Sequence, residues 1–297
     1  MHSCTSALFD PWNLKFNELG IPPKFYYFIH RLQKKNDMPE LPEIALYKKY
    51  VDSTALHQKI GKVEFIEDSL LQHPKKDIGK ELKGNELTST YRRGKYLFIE
   101  LKSGKWLVLH FGMTGELKYY QNQDTPDYTK MLLHFENDYK LAYIFPRKLG
   151  KIYLAEDKDN FCEDHEIGRD ALDFSQDQFK KYLENKRGSL KGALTDQQSI
   201  SGIGNVYADE IAFQCRMHPK SDVSMLSAED IANLYQQTNE VLKTVIEKDA
   251  ERSEFPDNYL TPHRKDGTDC PTCNGEVKQI KISGRSTYFC PKCQKKK

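Results

Sequence analysis

The sequence predicts an α+β protein in which one helix introduces a β-rich half, and a helical half and a cysteine-bearing hairpin follow. Three observations predict this order. Short β-branched or aromatic segments separated by Gly, Asn or Asp turns occupy residues 62–154. Apolar residues recur at helical spacing after Ser175. Two Cys-x2-Cys pairs lie close to the C-terminus, and 297 residues are enough for two domains.

Residues 1–37 mix aromatic, basic and Pro residues without a clear period, and we interpret them as an extension outside the fold. A translated upstream region is favoured over a transit peptide, because Arg is nearly absent and acidic residues are present. The extension lacks the continuous apolar core of a secretory signal. No apolar run in the sequence is long enough to span a membrane. We therefore expect a soluble cytoplasmic protein.

The β-rich half begins with a predicted helix. From Glu43 the apolar residues follow a helical period, and Gly61 lies where that helix would stop. The predicted strands that follow are 62–66, 96–102, 105–110, 131–136, 140–145 and 151–154. Their regular spacing predicts a β-sandwich or barrel of mostly antiparallel strands, within a domain that we bound at residues 38–156.

The acidic, aperiodic stretch 157–173 is predicted to be a linker. Ser175 can cap a helix that runs to Leu183, a second helix covers about 206–214, and Ser227 opens a long third one. We therefore assign a helical domain to residues 174–257 and a separate C-terminal unit to residues 258–297.

Four of the seven cysteines form two pairs in the C-terminal unit, and the other three are scattered. The paired cysteines are Cys270, Cys273, Cys290 and Cys293. This spacing favours one tetrahedral zinc site in a reducing compartment over a disulfide framework. Because all four ligand positions are cysteine, the predicted zinc is structural. The same unit carries nine Lys or Arg against three Asp or Glu, whereas the whole chain has a formal charge of only +2. Such a basic end suits phosphate binding.

Residues 38–43, Met-Pro-Glu-Leu-Pro-Glu, have two interpretations. If Met38 initiates the chain and is removed, Pro39 becomes a free secondary amine. Amines of this kind titrate near pH 7.7–8.0, so a fraction is unprotonated and could attack a sugar C1′ to form an iminium. The simpler interpretation is a helix start, with Pro42 in the first turn and acidic residues at the positive end of the helix dipole.

Two glycine-containing turns could contact phosphate. Residues 202–205, Gly-Ile-Gly-Asn, precede a helix whose free N–H groups can bind an anion, although an ordinary tight turn with Asn205 as N-cap explains them equally well. Between the cysteine pairs, strands at 277–282 and 286–289 would present Arg285 at a hairpin tip. Alone, it would be an ordinary surface arginine.

Two further segments are ambiguous by themselves. Residues 91–96, Tyr-Arg-Arg-Gly-Lys-Tyr, place three cations, Lys95 among them, just before a strand, where they could be a solvated charge cluster. Residues 110–115 carry Met113 between two glycines. A methionine is more often buried in a core, but a flexible apolar side chain between glycines could also enter a base stack after a nucleotide is flipped out.

Together, segments 38–43, 91–96, 110–115, 202–210 and 284–294 closely resemble the Fpg/Nei family of bacterial DNA glycosylase/AP lyases, over essentially residues 38–297. The resemblance implies an N-terminal β-sandwich with a leading helix, joined to a helix–two-turn–helix domain that ends in a zinc hairpin. It implies removal of oxidised bases from damaged double-stranded DNA, with β,δ-elimination of the strand. One structural zinc, no nucleotide cofactor, a monomer and a nucleoid-associated location are expected.

The resemblance also implies roles for single residues. Pro39 resembles the nucleophile that forms a Schiff base, Glu40 the acid/base group, and Glu43 a second carboxylate near the site. The residues that resemble the phosphate-gripping set are Lys95, Asn205 and Arg285. Met113 resembles the residue that fills the space left by the flipped nucleotide.

Two departures concern substrate choice. Where the Fpg branch has Asp-Pro-Arg-Arg-Phe-Gly, residues 145–150 read Phe-Pro-Arg-Lys-Leu-Gly, so Arg147 is retained and Leu149 replaces the aromatic wedge. Residues 249–269 are shorter than the Fpg segment that covers flipped 8-oxoguanine. We therefore expect reduced activity on 8-oxoguanine, with formamidopyrimidines, hydantoins or oxidised pyrimidines preferred.

Two alternatives belong to other functional classes. If residues 1–37 stay attached, Pro39 is an amide without a nucleophilic lone pair, and the protein would recognise damaged DNA without cleaving it. A zinc-ribbon module for protein interaction explains the cysteines, but it leaves the motifs at 91–96 and 202–210 without a role.

Overall fold

A computed structural model describes residues 38–147 and 149–297, so the expectations for residues 1–37 lie outside the described residues. The first element is helix α1 (Leu41–Thr54), with Pro42 in its first turn. A capping box starts it: the Glu40 backbone N–H donates to Glu43 Oε2 at 3.0 Å. The predicted helix start is thus correct, and it turns Glu40 and Glu43 inward, where both are buried.

Eight strands form two four-stranded antiparallel sheets that pack as a sandwich. They are β1 (Ile60–Phe65), β2 (Leu87–Arg93), β3 (Tyr96–Leu101), β4 (Trp106–His110), β5 (Glu116–Tyr120), β6 (Thr129–Phe135), β7 (Lys140–Ile144) and β8 (Lys151–Ala155). The strand orders are β2-β3-β4-β8 and β1-β6-β7-β5. Apolar side chains from both sheets and from α1 share one buried core.

The sequence missed several elements of this half. Strands β2 and β5 carry many polar side chains, and most of β2 is only half-buried, so neither has a clear apolar signature. A short helix, α2 (Lys75–Leu82), also follows β1. The acidic, aperiodic stretch 157–173 is predicted to be a linker, but its start is helical. Helix α3 (Lys158–Asp164) is capped there by the Asp157 carboxylate, which accepts two backbone N–H bonds.

The second half is helical, as predicted. It contains α4 (Gln176–Glu184), α5 (Leu190–Leu194), α6 (Asn205–Gln214) and α7 (Ala228–Glu247), and β9 (Arg169–Asp170) pairs with β10 (Ile200–Ser201) before α6. Ser175 and Ser227 cap α4 and α7 through capping boxes. The C-terminal hairpin consists of β11 (Lys278–Ile282) and β12 (Arg285–Phe289). Within the described ranges, no helix combines the length and the apolar character needed to cross a membrane.

A buried ion pair joins the two halves. The Arg92 guanidinium, at the end of β2, donates to both carboxylate oxygens of Asp170 in β9. The same carboxylate accepts the Gly94 backbone N–H at 2.7 Å. Arg93 donates to the Gly168 carbonyl at 2.7 Å. Two of the three cations at 91–96 therefore hold the domains together, and only Lys95 turns toward the cleft between them.

A second buried cluster fastens the hairpin to α6. The Asp209 carboxylate accepts from Lys191 Nζ at 2.6 Å, from Arg264 Nη2 at 2.9 Å and from the Tyr288 backbone N–H at 3.1 Å. Lys191 also donates to Thr287 Oγ1 at 2.8 Å. Since Asp209 and Lys191 are at most 2% exposed, the hairpin is held by a buried polar network.

Candidate active site

Glu40 sits at the N-terminus of α6, in the other half of the molecule. Its carboxylate accepts backbone N–H bonds from Gly204 at 2.7 Å, Val206 at 2.8 Å and Tyr207 at 3.2 Å. These N–H groups have no partner within the helix, and the helix dipole favours an anion at this end. The N–H groups that the sequence offered for phosphate after residues 202–203 are therefore occupied by a carboxylate of the protein itself.

Gly204 makes this approach possible. A Cβ at this residue would lie within 3.0 Å of the Glu40 carboxylate and 2.6 Å from Lys95 Nζ. The carboxylate and the ammonium group therefore both lie in the space that a side chain at this residue would occupy. Gly204 is also the N-cap of α6, so Asn205 is the first helical residue and not the cap that the alternative interpretation proposed. The Asn205 Oδ1 atom is buried and has no hydrogen-bond partner within the described part of the chain.

Burial shifts both members of this pair toward their neutral forms. It raises the pKa of Glu40, although the nearby Lys95 cation and the backbone N–H groups oppose the shift. It lowers the pKa of Lys95, with Glu40 opposing and Arg285 adding to the shift. A carboxyl group with a raised pKa keeps its proton to a higher pH than an ordinary carboxyl group, which suits acid/base chemistry.

Glu43 is held from two sides. The Tyr207 hydroxyl donates to Glu43 Oε1 at 2.6 Å, while Oε2 accepts the Glu40 backbone N–H. Tyr207 thus connects α6 to α1 beside Pro39. Sequence reasoning missed Tyr207, because an apolar position on a helix gives no sign that its hydroxyl reaches a carboxylate in another domain.

A narrow pocket surrounds the half-buried Pro39. Glu40, Glu43 and Tyr207 line it. Thr114, whose Oγ1 is buried without a partner among the described residues, and Arg252 are among the other residues that line it. Sequence reasoning missed both, since Arg252 lies in an irregular segment that has no motif. The pocket brings the three predicted catalytic residues together.

A larger cleft, of about 570 Å³, opens next to this pocket. It is lined by four of the residues predicted to contact DNA, Lys95, Met113, Asn205 and Arg285. Lys95 lies at the β2–β3 turn and Arg285 at the start of β12, directly after the hairpin tip at Gly284. Met113 is half-buried in the β4–β5 loop rather than enclosed in the core.

His110 also lines the cleft, whereas Arg147 and Leu149 are not among the residues that line it. Burial and the nearby Lys95 cation lower the pKa of His110 to about 4, so its imidazole is neutral at ordinary pH. Arg147 is exposed and Leu149 is 54% exposed, on the loop after β7. The backbone of that loop contacts the Met113 loop, since a Cβ on Gly112 would lie 2.5 Å from the Leu149 carbonyl oxygen.

The four paired cysteines meet at the base of the hairpin. The Sγ atoms of Cys270, Cys273, Cys290 and Cys293 all lie within 4.8 Å of one another. The Cys270–Cys293 distance is 3.5 Å and the Cys273–Cys290 distance is 3.7 Å. A tetrahedral zinc with Zn–S bonds of about 2.3 Å requires S–S distances of about 3.8 Å. The donor set therefore fits one structural zinc and leaves no ligand position for a substrate.

Comparisons with known proteins agree along the chain. Residues 38–152 match the formamidopyrimidine-DNA glycosylase N-terminal domain, residues 167–257 its H2TH domain, and residues 269–296 the zinc finger found in FPG and IleRS. A formamidopyrimidine-DNA glycosylase of Synechocystis sp. is 33% identical over 286 residues, which cover 87% of this chain and 99% of the relative.

Solved structures of the Lactococcus lactis formamidopyrimidine-DNA glycosylase have the same fold. One, non-covalently bound to DNA that contains an AP site, is 26% identical with a TM-score of 0.79, over 86% of this chain and all of that chain. Another, a mutant bound to DNA that contains Fapy-dG, is 27% identical with a TM-score of 0.79, over 87% of this chain and all of that chain. The chain therefore belongs to the formamidopyrimidine-DNA glycosylase (Fpg/Nei) family of DNA glycosylases.

Proposed function

We propose that the protein is a bifunctional DNA glycosylase/AP lyase that excises oxidised bases, and that its nucleophile is the amine of Pro39 in a chain that begins there. One observation carries the proposal: Glu40, next to Pro39 in sequence, is buried on the N-terminus of α6 in the same pocket. A carboxyl group placed there for structure alone would pay a desolvation cost that a neutral residue avoids.

The proposed chemistry begins with attack of the Pro39 nitrogen on the sugar C1′. The bond between C1′ and the damaged base breaks, and the base leaves with the electron pair and takes a proton. The C1′–O4′ bond then breaks, O4′ takes a proton as the sugar ring opens, and an iminium joins Pro39 to C1′. The iminium acidifies the C2′ proton. Loss of that proton expels the 3′-phosphate by β-elimination, a second elimination expels the 5′-phosphate, and water releases the sugar from Pro39. Glu40 moves the protons in these steps, while Glu43 and Tyr207 hold the start of α1 in place.

Lys95, Asn205 and Arg285 are the proposed phosphate grips. All three line one cleft beside the Pro39 pocket, and two are cations. Met113 enters the same cleft and would fill the space of the flipped nucleotide, with Arg147 and Leu149 next to it on the neighbouring loop. One chain supplies the nucleophile and the grips, which supports a monomer, and the proposed steps use no nucleotide cofactor.

We propose formamidopyrimidines, hydantoins and oxidised pyrimidines as preferred lesions, with 8-oxoguanine a poor substrate. Leu149 offers no aromatic face to the orphaned base. The short segment 249–269 packs tightly on α6, where buried Glu210 accepts bonds from the Leu260 and Thr261 backbone N–H groups at 3.1 and 2.6 Å. A segment held this way is poorly suited to close over a large flipped purine. The L. lactis complex with Fapy-dG DNA agrees with the formamidopyrimidine part of the proposal.

Lesion choice is tested by single-turnover excision from matched duplexes that carry each base. We expect the 8-oxoguanine rate to be the lowest. An 8-oxoguanine rate equal to that of the best substrate would refute this part of the proposal.

One alternative function has an observation in its favour. In the 297-residue chain Pro39 is joined to Met38 by a peptide bond, so this form has no amine at the proposed site and would bind damaged DNA without cleaving it. Borohydride trapping on an abasic-site duplex separates the two functions. We expect a covalent adduct with the chain that begins at Pro39 and none with the 297-residue chain. An adduct with neither form would favour the binding protein.

A further inference from the structure

Phe145 lies directly after β7, and its side chain is closely packed on all sides. It stands where the Fpg branch has aspartate, and it is fully buried. Its ring edge lies between two glycines: a Cβ on Gly115 would lie 2.7 Å from Phe145 Cε1, and one on Gly150 would lie 2.6 Å from Cε2. The ring therefore fills the space that side chains at both glycines would otherwise need.

The two glycines belong to two loops whose backbones contact each other, and one of these loops carries Met113, which lines the cleft. Gly115 ends the Met113 loop, residues 111–115, which is closed by a bond from the Gly115 N–H to the Phe111 carbonyl at 2.8 Å. Gly150 ends the loop that carries Arg147 and Leu149, here called the Leu149 loop. Phe145 thus packs beneath both loops where their backbones meet.

An aromatic series connects this point to the Pro39 pocket. The Phe145 and Tyr143 ring centroids are 4.6 Å apart, those of Tyr143 and Phe111 are 5.5 Å apart, and Phe111 stacks on Tyr47 of α1 at 4.5 Å. Two hydroxyl groups anchor the series to backbone. Tyr47 donates to the Gly115 carbonyl at 3.2 Å, and Tyr143 donates to the His110 carbonyl at 2.9 Å. Tyr47 itself lines the Pro39 pocket.

We propose that Phe145 is a positioning residue that holds the Met113 loop and the Leu149 loop as one unit at a set distance from Pro39. The inference rests on the proposed function, in which Met113 and Leu149 fill the gap left by the flipped nucleotide. Two loops fixed to each other can enter the base stack together. Two loops that move separately lose that alignment, and small errors in alignment are costly at a reacting centre.

Loss of the Phe145 ring should affect two reactions of the same site to different extents. Excision of a damaged base requires the nucleotide to be held out of the stack, whereas a preformed abasic site has no base to extrude. Phe145→Leu keeps an apolar side chain but removes the ring that the glycines accommodate. We expect single-turnover base excision to fall about tenfold and cleavage of a preformed abasic site to fall less than about threefold. Both assays use the form of the chain that gives the borohydride adduct, either the 297-residue chain or the chain that begins at Pro39.

The matched control is Phe135→Leu. Phe135 is a buried phenylalanine of the same sandwich, 4% exposed, and it packs on Tyr119 rather than beneath the loops. If Phe145 acts only through general stability, both variants will lose the two activities equally, and the inference is wrong. Phe145→Met, which keeps most of the volume, should restore excision to within about threefold of the parent. If Phe145→Leu does not fold, Phe145→Ile is compared with Phe135→Ile instead, and the same selective loss of excision is expected from Phe145→Ile alone.

A binding readout tests the inference without catalysis. The 297-residue chain is saturated with a duplex that carries a tetrahydrofuran residue opposite 2-aminopurine, whose fluorescence rises when its stacking is disturbed. We expect the parent and Phe135→Leu to raise the fluorescence equally, and Phe145→Leu to raise it less than half as much. Equal rises in all three would overturn the inference. Absence of a borohydride adduct from either form would instead count against the proposed function.

Discussion

At the scale of single residues, the site depends on ionisable side chains that are buried, where the charged form is destabilised. Glu40 and Lys95 approach the same glycine, and burial moves the pKa of each toward its neutral form. Such an arrangement favours proton transfer at the expense of stability. The activity and the stability of a Glu40 variant should therefore change in opposite directions.

Glu40→Gln should lower single-turnover base excision by about a hundredfold or more, because the amide cannot transfer a proton. It should also raise the Tm at pH 7.5. A carboxyl group with a raised pKa contributes stability below its unfolded value near 4.5, and this contribution is lost as the pH rises through the folded pKa. The Tm difference should therefore vanish near pH 4. Glu184→Gln, on an exposed side chain, serves as the control.

Arg285→Ala should weaken binding to damaged and undamaged duplexes alike, because a phosphate contact carries no sequence information. The slope of log K against log salt should become shallower by about one contact. Lys281→Ala is the matched control, since Lys281 is exposed on the same hairpin but does not line the cleft. Equal slopes for the two variants would argue against Arg285 as a phosphate grip.

At the scale of elements, α6 organises the site more than any other segment. Its N-terminus holds Glu40, its Tyr207 holds Glu43, its Asp209 holds the zinc hairpin, and its Glu210 holds segment 249–269. These side chains are buried along one ten-residue helix. The positions of the grips therefore depend on polar contacts of α6 as well as on the apolar core.

Asp209→Asn should lower the free energy of unfolding by about 3–5 kcal/mol, because Lys191 and Arg264 would be left as buried cations without a counter-charge. Denaturant unfolding measures the change. Glu184→Gln, which removes an exposed ion pair with Lys180, should change it by less than about 1 kcal/mol. A small effect of Asp209→Asn would mean that the cations find other partners.

At the scale of the whole molecule, the sequence predicted the order of the halves, six of the eight sandwich strands and the zinc hairpin. These depend on local periodicity and spacing, which a sequence displays. It could not predict that Arg92 and Arg93 join the domains, or that Tyr207 reaches Glu43, because those contacts link residues more than seventy positions apart. Strand β2 was missed because its alternation is polar and half-buried.

Arg92→Met should loosen the junction of the two domains. Asp170 is fully buried, and the substitution removes its counter-charge while leaving the Gly94 N–H bond. We expect the free energy of unfolding to fall by about 3 kcal/mol or more. Excision should fall as well, since Lys95 lies three residues away. Lys102→Met, at an exposed ion pair with Glu86, should leave both quantities nearly unchanged.

The position of the Glu40 carboxylate at the N-terminus of α6 has a consequence for the cell. Its three backbone donors lie 164 to 167 residues further along the chain. A nascent chain, a proteolytic fragment or a molecule with an unfolded second half therefore lacks both these donors and the burial that raises the pKa of Glu40. In the proposed mechanism, such a molecule has no acid/base group in place and should not cut DNA until synthesis and docking are complete.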